Sequence, residues 1–376
     1  MKSITYVGLD VHKNSYTVCC YQPKVVKDEN DKVDYHHKFE PDYRHIINYI
    51  NGVKHFYGED TYFVCGYEAG ALGYTLYHQL TSAGIKCIIL APSTMGTNVK
   101  ARIKTDRRDA ENIARCLAYG NYSAVYVPSQ TDNEIKEYIR MRNDKKEALK
   151  KIKQQLLAFV LKHGYRYEGG RNYWTLRHVK WLRSLEMTPL LKEILEEYLI
   201  SYDYLTNKLE RLEERIDEFA NQDDYHERVK KLVSLMGVKN YTALSVIVET
   251  GDFKRFKKAS NFASFLGLVP SEDSSGDIVR RGEITKAGNS QIRKLLVESA
   301  QSYARGTVGH KSKELKRRQN GNSAEVIAYA DKANERLRRK FYRMVLTNGT
   351  PRNKAVTAIA RELACFMWGL MTDNIA

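Results

Sequence analysis

The chain has 376 residues, 43% of them hydrophobic and 28% charged, which suffices for two or three domain cores and excludes a disordered protein. Its net charge of +16 favours a polyanionic partner, with nucleic acid ahead of an anionic membrane surface. No apolar run approaches the roughly 20 residues of a membrane span, and the six cysteines show neither CxxC spacing nor a disulfide framework, so we predict a cytoplasmic protein without a membrane partner.

The first third of the chain alternates predicted strands and helices. Apolar patterns predict strands at 4–9, 15–21, 32–39, 61–67 and 86–90, and helices at 43–56, 72–80 and 106–117. This order (three strands, helix, strand, helix, strand, helix) is that of an α/β RNase H-like fold. In such a fold the first and fourth strands are neighbours, so residues at their ends meet at one edge of the sheet.

Four acidic residues occupy the ends of these elements. Asp10 ends the first strand, Glu68 follows the fourth, and Asp106 and Asp109 open the last helix on one helix face. Carboxylates brought together in this way repel one another unless a cation lies between them. One or two Mg²⁺ ions would relieve that repulsion and support phosphoryl transfer. Any one of these acids alone is more simply explained as a cap or a solvated charge.

The motifs around the four acids carry a family resemblance. Gly-Leu-Asp10-Val-His-Lys, Tyr-Glu68-Ala-Gly and Lys-Thr-Asp106-Arg-Arg-Asp109-Ala resemble the three signatures of the DEDD insertion-sequence transposases. The N-terminal domain of that family resembles the RuvC Holliday-junction resolvase. The resemblance implies a RuvC-like catalytic domain at 1–125, in which these four acids are catalytic and bind the metal. It also implies a second domain that carries a reactive serine.

Two long helical patterns make up a predicted helical linker at 126–225. The first pattern runs over 132–162, with charged residues around an apolar face. The second alternates apolar spacings of four and three, at Leu191, Leu195, Tyr198, Tyr202, Leu205, Leu209, Leu212, Ile216 and Phe219. This heptad seam predicts a coiled coil, as an intramolecular hairpin, a dimerising coil, or both. We expect a homo-oligomer, either a dimer or a tetramer.

The last segment, 226–376, is predicted to be a mostly α-helical transposase domain. Gly237 makes a tight turn between two helices, as in helix-hairpin-helix motifs that offer backbone N–H groups to a phosphate. The local sequence Met-Gly-Val-Lys departs from the usual Pro-Gly-Ile-Gly, so a purely structural turn remains an equal alternative. The chain closes with an amphipathic helix over 356–371.

A polar loop in this segment presents a candidate nucleophile. Gly-Leu-Val-Pro270, then Ser274-Ser275-Gly, then Thr-Lys-Ala-Gly-Asn289 resemble the C-terminal transposase domain of the same family. By this alignment Ser275 matches the serine that becomes covalently joined to DNA, and Ser274 is the second choice. A serine hydroxyl needs activation, and nearby guanidinium groups can stabilise its alkoxide while binding the phosphate. Taken alone, Ser-Ser-Gly is more often a turn.

Basic residues are concentrated late in the chain. Residues 301–361 hold 15 Lys and Arg against 4 Asp and Glu, which favours contact with phosphate backbones over a merely solvated face. The candidate nucleic-acid contacts are Lys104, Arg107, Arg280, Arg281, Lys286, Arg293, Arg317 and Arg318.

The resemblance implies a DNA transposase or recombinase. Mg²⁺-assisted attack by Ser275 would exchange strands of donor and target DNA through a phosphoserine link, and a structured bridge RNA would choose both DNAs. In this family the acidic and serine domains are thought to form a composite site, within one subunit or across two. The alternatives are a metal-dependent junction resolvase or nuclease that uses water as its nucleophile, and an inactive nucleic-acid-binding scaffold.

Overall fold

The computed structural model describes residues 4–23, 34–57, 60–95, 105–273 and 280–375. They form two compact units, divided between Val127 and Pro128. Within the described residues, the helices are all too short or too polar to span a bilayer.

The described part of the first unit is a five-stranded sheet with helices on both faces. Its elements are β1 (Ile4–Val11), β2 (Tyr16–Tyr21), β3 (Asp34–Phe39), α1 (Tyr43–Tyr57), β4 (Tyr62–Glu68), α2 (Thr75–Ser82), β5 (Lys86–Leu90) and α3 (Asp106–Tyr119). The strands lie in the order β3-β2-β1-β4-β5, with β1 antiparallel to β2 and parallel to β4. The element order and the pairing of the first strand with the fourth are those predicted for an RNase H-like fold.

The bounds of most elements in this unit differ from the prediction by one or two residues, and the start of α2 differs by three. The third strand is described from Asp34, because residues 32 and 33 lie outside the described residues. The helix α2 begins at Thr75 instead of residue 72, since Gly73 has a φ of +62°, which a right-handed helix does not accept.

Alternate residues of β1 face opposite sides of the sheet. Val7 and Leu9 are fully buried in an apolar core with Ile46 and Ile50 of α1. Gly8 faces the other side, where a Cβ would overlap the backbone of α3. The sheet is therefore covered by large apolar side chains on one face and by a closely approaching helix on the other.

The second unit is helical apart from one hairpin, over the residues that the structure describes. Its elements are α4 (Gln130–Lys162), α5 (Leu176–Arg183), α6 (Pro189–Ala220), α7 (Asp223–Leu232), α8 (Asn240–Thr250), α9 (Ala259–Phe265), β6 (Pro270–Glu272), β7 (Arg281–Ile284), α10 (Ser290–Ala300), α11 (Lys313–Gln319), α12 (Ala324–Tyr342) and α13 (Arg352–Met371).

The long helices α4 and α6 pack against each other within the chain. The Ser129 side chain begins α4 by accepting the backbone N–H of Asp132 at 3.0 Å, and Pro189 takes the first position of α6, where its missing N–H has no helical partner to lose. Members of the predicted heptad seam are buried, among them Leu195, Leu209, Leu212 and Ile216. The hairpin alternative matches this packing, and the dimerising coiled coil stays a prediction.

One apolar core joins the long helices to the later ones. Ile135 and Ile139 of α4 and Ile216 of α6 belong to the same buried cluster as Val246 of α8 and Ile359 of α13. The segments predicted at 126–225 and 226–376 thus share one compact unit, and the division between them near residue 225 stays a prediction.

Candidate metal centre and serine segment

Glycines and carboxylates alternate on the α3 side of the sheet. Gly8 of β1 pairs with Gly66 of β4 in parallel register. Asp10 and Glu68 come two residues later on these strands, so their side chains point to the same face as the glycines do. The two predicted acids therefore lie on adjacent parallel strands, at the same edge of the sheet and on the same face.

The helix α3 carries the other two predicted acids to that edge. Thr105 begins the helix, with its Oγ1 accepting a backbone N–H of the first turn at 3.4 Å. The helix then crosses β1 at Gly8, where there is no room for a side chain. This close approach holds the first turn, which contains Asp106 and Asp109, beside Asp10.

Three side chains come close enough to share one cation. One ligand atom from each of Asp10, His12 and Asp106 lies within 4.8 Å of the other two. Nε2 of His12 is 3.2 Å from Oδ2 of Asp10, and Nζ of Lys38 is 2.8 Å from Oδ2 of Asp106. Lys38 lies on β3 opposite Thr17 of β2, which itself lies opposite Asp10, so its position follows from the sheet register.

The charges of this cluster shift its pKa values in opposite directions. Burial raises the pKa of Asp10, and the charges of Asp109 and Asp106 raise it further against the opposing effect of His12. The hydrogen bond and the charge of Lys38 lower the pKa of Asp106. The buried carboxylate is thus destabilised in its charged form, while the exposed one already has a cationic partner.

The residues present fit a divalent cation. Oδ2 of Asp10 is buried and has no aligned hydrogen-bond donor among the described residues, although Nε2 of His12 lies at ion-pair distance. A buried, charged oxygen without a donor is costly, and a metal ion would satisfy it. Carboxylate oxygens together with one imidazole nitrogen are also a common set of ligands for divalent metal ions.

The serine segment is held at its base by two glycines. Gly267 and Gly288 have φ values of +65° and +86°, and a Cβ at either would overlap backbone, at Ala287 and Phe265 respectively. The backbone N–H of Lys286 donates to the carbonyl of Gly267 at 3.2 Å. The motif residues on both sides of β6 and β7 are therefore in direct contact.

The predicted nucleophile falls between β6 and β7 in the sequence. The N–H of Asp273 donates to the carbonyl of Arg280 at 3.0 Å, which closes the ladder on either side of residues 274–279. Ser274 and Ser275 lie in that stretch, outside the described residues.

Two models of transposase families match the two regions of the chain that contain the acidic residues and the serine motif. A DEDD transposase model of the IS110 type matches residues 7–164, and a model described as Transposase IS116/IS110/IS902 family matches residues 229–316. A Sinorhizobium fredii protein named as a transposase is 37% identical over 84% of this chain and 76% of its own length. The transposase for insertion sequence element IS1533 of Leptospira borgpetersenii is 30% identical over 91% of this chain and 96% of its own length. The chain belongs to the IS110/IS116 family of transposases.

Membership of this family gives the chain its activity. It is an insertion-sequence transposase, an enzyme that cuts and rejoins DNA, and its DEDD domain implies an RNase H-like fold and the use of a divalent metal. A more distant relative, a pilin gene-inverting protein of Moraxella lacunata, is 24% identical over 87% of this chain and 92% of its own length.

The transposase brings the predicted acids together to different degrees. Asp10 and Asp106 are within ligand distance of each other, and Asp109 is near enough to raise the pKa of Asp10. Glu68 is exposed at the end of β4, in the position adjacent to Asp10, and is not part of the three-residue cluster. The metal-binding roles of all four acids remain predictions.

Sequence reasoning missed two residues of this site. His12 follows Asp10 by two positions and lies one residue beyond the end of β1 at Val11, so the alternation of the strand, continued by one residue, places both side chains on one face. That signal was available within the first motif. Lys38 reaches Asp106 from β3, and only the register of three strands reveals it.

The predicted nucleic-acid contacts of the transposase fall into two groups. Lys104 lies outside the described residues. The exposed members are Arg107, Arg280, Arg281, Lys286 and Arg317. Three of these have acidic neighbours within 3.3 Å, which are Glu272 for Arg281, Glu283 for Lys286 and Glu314 for Arg317.

Arg293 and Arg318 instead hold the fold of the second unit. Arg293 donates to the carbonyl of Leu266 at 2.9 Å, and Arg318 donates to the carbonyl of Val238. Each guanidinium thereby fixes a turn between helices, and a contact of either residue with nucleic acid stays a prediction.

Proposed function

We propose that this transposase exchanges DNA strands through a phosphoserine intermediate formed by Ser275, at a site where Asp10, Glu68, Asp106 and Asp109 bind one or two Mg²⁺ ions. The observation that carries the metal half of the proposal is the buried Oδ2 of Asp10, whose nearest polar neighbours include His12 and Asp106 within ligand distance of one shared cation. The support for the serine half is the motif that surrounds it, whose two glycines bring the segments before β6 and after β7 into backbone contact.

In the proposed chemistry each P–O bond that breaks is replaced by a new P–O bond, as recombination requires. The hydroxyl of Ser275 loses its proton and its Oγ forms a bond to phosphorus, while one P–O bond of the DNA backbone breaks and the leaving oxygen takes up a proton. A strand hydroxyl later attacks the same phosphorus, which restores the serine and joins the new strands. No hydrolysis is needed, so rejoining requires no further energy source.

Residues of the first unit assist at the attacked phosphate. Bound Mg²⁺ would supply Lewis acidity that stabilises charge on the phosphoryl oxygens. His12 is close enough to Asp10 to hold its carboxylate or to contribute a ligand nitrogen. Lys38 favours the charged form of Asp106, and its exposed ammonium group would offer a DNA phosphate a charged contact beside the cluster.

A relative's function favours strand exchange over simple cleavage. The Moraxella lacunata protein is named for inverting a pilin gene, and inversion of a DNA segment requires cut ends to be rejoined. A nuclease or junction resolvase that uses water would leave free ends. We therefore place the serine route ahead of the hydrolytic one.

We propose further that the transposase is guided by a structured RNA that selects donor and target DNA, and that it acts as a dimer or tetramer. The support is the net charge of +16, of which residues 301–361 supply a large share, and the long helices of the second unit. Purifying the full chain from its host and sequencing any bound RNA tests the guide. Recovery of no defined RNA species would refute it.

The direct test of the nucleophile is Ser275→Ala, with Ser274→Ala as its matched control. Wild type and Ser274→Ala should form a protein–DNA adduct that survives denaturation, and Ser275→Ala should form none. Mass spectrometry of the digested adduct should find the nucleotide on the peptide that contains residue 275.

Other results separate the rival functions. Free-ended products from an active Ser275→Ala enzyme would establish a hydrolytic nuclease. If recombination survives Asp10→Asn, the carboxylates are not a working metal site. That result would support the scaffold alternative, in which the acids have no catalytic role.

A further inference from the structure

A cavity of about 240 Å³ opens in the second unit among α7, α8 and α11. Its polar lining consists of Asn221, His226, Lys230, Asn240, Arg317 and Arg318. Carboxylates are absent from the described lining. The cavity therefore concentrates positive charge and hydrogen-bond donors in one concave place, a combination that suits an anion.

The exposed acidic neighbours of these cations lie outside the lining of the cavity. Lys230 is 3.8 Å from Glu227, and Arg317 is 3.2 Å from Glu314. These acidic side chains are 72% and 54% exposed, and each sits on the same helix as its partner. Such exposed pairs are worth little, so an incoming anion competes with them easily.

Arg318 forms the inner wall of the cavity. Its side chain is only 16% exposed, and it donates to the carbonyl of Val238. Its Nε is buried without a hydrogen-bond acceptor among the described residues. Burial lowers the pKa of Arg318 and the charge of Arg317 acts in the same direction, while the charge of Glu314, 3.9 Å from that Nε, opposes both. The wall thus carries positive charge that the fold leaves partly uncompensated.

The start of α8 adds backbone donors to these side chains. Asn240, the first residue of α8, lines the cavity, and the preceding Lys239 makes no side-chain cap. The first N–H groups of a helix have no intrahelical acceptor, and they attract anions. The turn before them is fixed, because Gly237 has a φ of +79° and leaves no room for a Cβ beside Ser299.

We propose that this cavity binds one phosphate of the DNA backbone. Lys230 and Arg317 grip the phosphate, and Arg318 holds the turn that leads into α8. DNA is the occupant because it is the substrate of a transposase, and the site reads no sequence, since backbone phosphates are the same at every base pair. The proposal rests on DNA being the substrate and is independent of Ser275 and of the metal.

The test is the salt dependence of DNA binding by the full chain. Affinity for a fluorescent DNA duplex is measured by anisotropy between roughly 50 and 200 mM salt, a range over which phosphate contacts make affinity fall steeply with salt. EDTA is present throughout, so neither the metal nor strand cleavage contributes. The variants are Arg317→Ala and Lys230→Ala. The control is Arg339→Ala, an equally exposed arginine with one helical partner, Glu335, outside the cavity.

Each cavity variant should lower the slope of log affinity against log salt by about 0.9, the value for one lost phosphate contact, and Arg339→Ala should lower it less. The double variant should lose less than the sum of the single losses, because both side chains hold the same phosphate. Matching thermal melts exclude unfolding as the cause.

Three results would overturn the proposal. They are unchanged slopes for both cavity variants, an equal loss for Arg339→Ala, and a loss seen with an RNA duplex but not with DNA. The last would assign the cavity to RNA. Because binding is measured without catalysis, none of these results bears on the proposed role of Ser275, which has a separate test.

Discussion

The two faces of β1 in the first unit carry different kinds of residue. On the α1 side, Leu9 and Val7 are fully buried in a close-packed apolar layer. On the α3 side, the neighbouring residues of the same strand are Gly8 and Asp10, a position without a side chain and a buried carboxylate. Along β1, one face buries apolar surface, and the other carries a glycine and a carboxylate beside the smaller apolar cluster that Ile113 and Leu117 of α3 form with Leu90 of β5.

The contrast explains why the carboxylates sit where they do. A helix can approach a strand closely only over glycine, and that approach brings the first turn of α3 within reach of the strand end. The apolar face tolerates no such approach, because large side chains fill it. Stability and function are thus divided between adjacent residues of one strand.

The largest effect should come from Gly8→Ala, which puts a side chain on the glycine face. The new Cβ would overlap the carbonyl oxygen of Ala110, and backbone cannot rotate away as a side chain can. We expect the free energy of unfolding to fall by ~3 kcal/mol or more, measured by urea denaturation.

The matched control is Gly52→Ala in α1, where a Cβ meets nothing within 4 Å. This variant should be stabilised by roughly 0.5–1 kcal/mol, because alanine favours the helix. Equal stability of the two variants would show that α3 does not depend on the close contact at Gly8.

Asp10→Asn should lower the activity of the transposase but raise its stability when no metal is bound, so it separates the function of this residue from its effect on folding. Strand exchange should fall by more than about 100-fold, since loss of a mere supporting partner of a metal ligand already costs roughly 10–100-fold. In EDTA the variant should be more stable than wild type at neutral pH, because burial and the nearby carboxylates disfavour the charged form of Asp10. Leu9→Ala, one residue away, should instead lose ~2–5 kcal/mol of stability.

The stability gain of Asp10→Asn should depend on pH. The folded-state pKa of Asp10 is raised above 3.8, so ionisation weakens the folded state as the pH rises through that raised value. The advantage of the variant is complete above the raised pKa and vanishes below 3.8. Denaturant titrations of both proteins at several pH values measure it, and an advantage that persists at low pH would contradict this origin.

The smallest effect on stability should come from Lys38→Met, because the ion pair with Asp106 is exposed. A change below ~1 kcal/mol is expected. Affinity for Mn²⁺, measured by calorimetry, should rise a few-fold, since Lys38 no longer competes for Oδ2 of Asp106. Lys150→Met, which removes a comparably exposed pair with Glu147, should leave that affinity unchanged.

The sequence predicted the strand order of the first unit because apolar alternation and the positions of its helices are local signals. The placement of Asp10 and Glu68 at neighbouring strand ends followed from that order. The contact of Lys38 with Asp106 could not be predicted, because it depends on the register of β1, β2 and β3 together. The late start of α2 depended on the positive φ of Gly73.

Long-range partners limited the prediction for basic residues. A run of arginines near the end of the chain indicates affinity for polyanions, but it does not say which members are used internally. Arg318 donates to Val238, 80 positions away in the sequence, and Arg293 to Leu266. A contact between a guanidinium and a distant carbonyl produces no periodic pattern in the sequence, so it cannot be predicted from the sequence.

The paired glycines at the base of the serine hairpin have an evolutionary consequence. Because Gly267 and Gly288 hold the segments that flank the hairpin in direct backbone contact, the helices α9 and α10 keep their positions when the length of the stretch between β6 and β7 changes. Lengthening a loop whose ends are already fixed costs little, about 0.6 kcal/mol per doubling. Related transposases could therefore differ in the length of this stretch, around a retained serine, while α9 and α10 keep their positions.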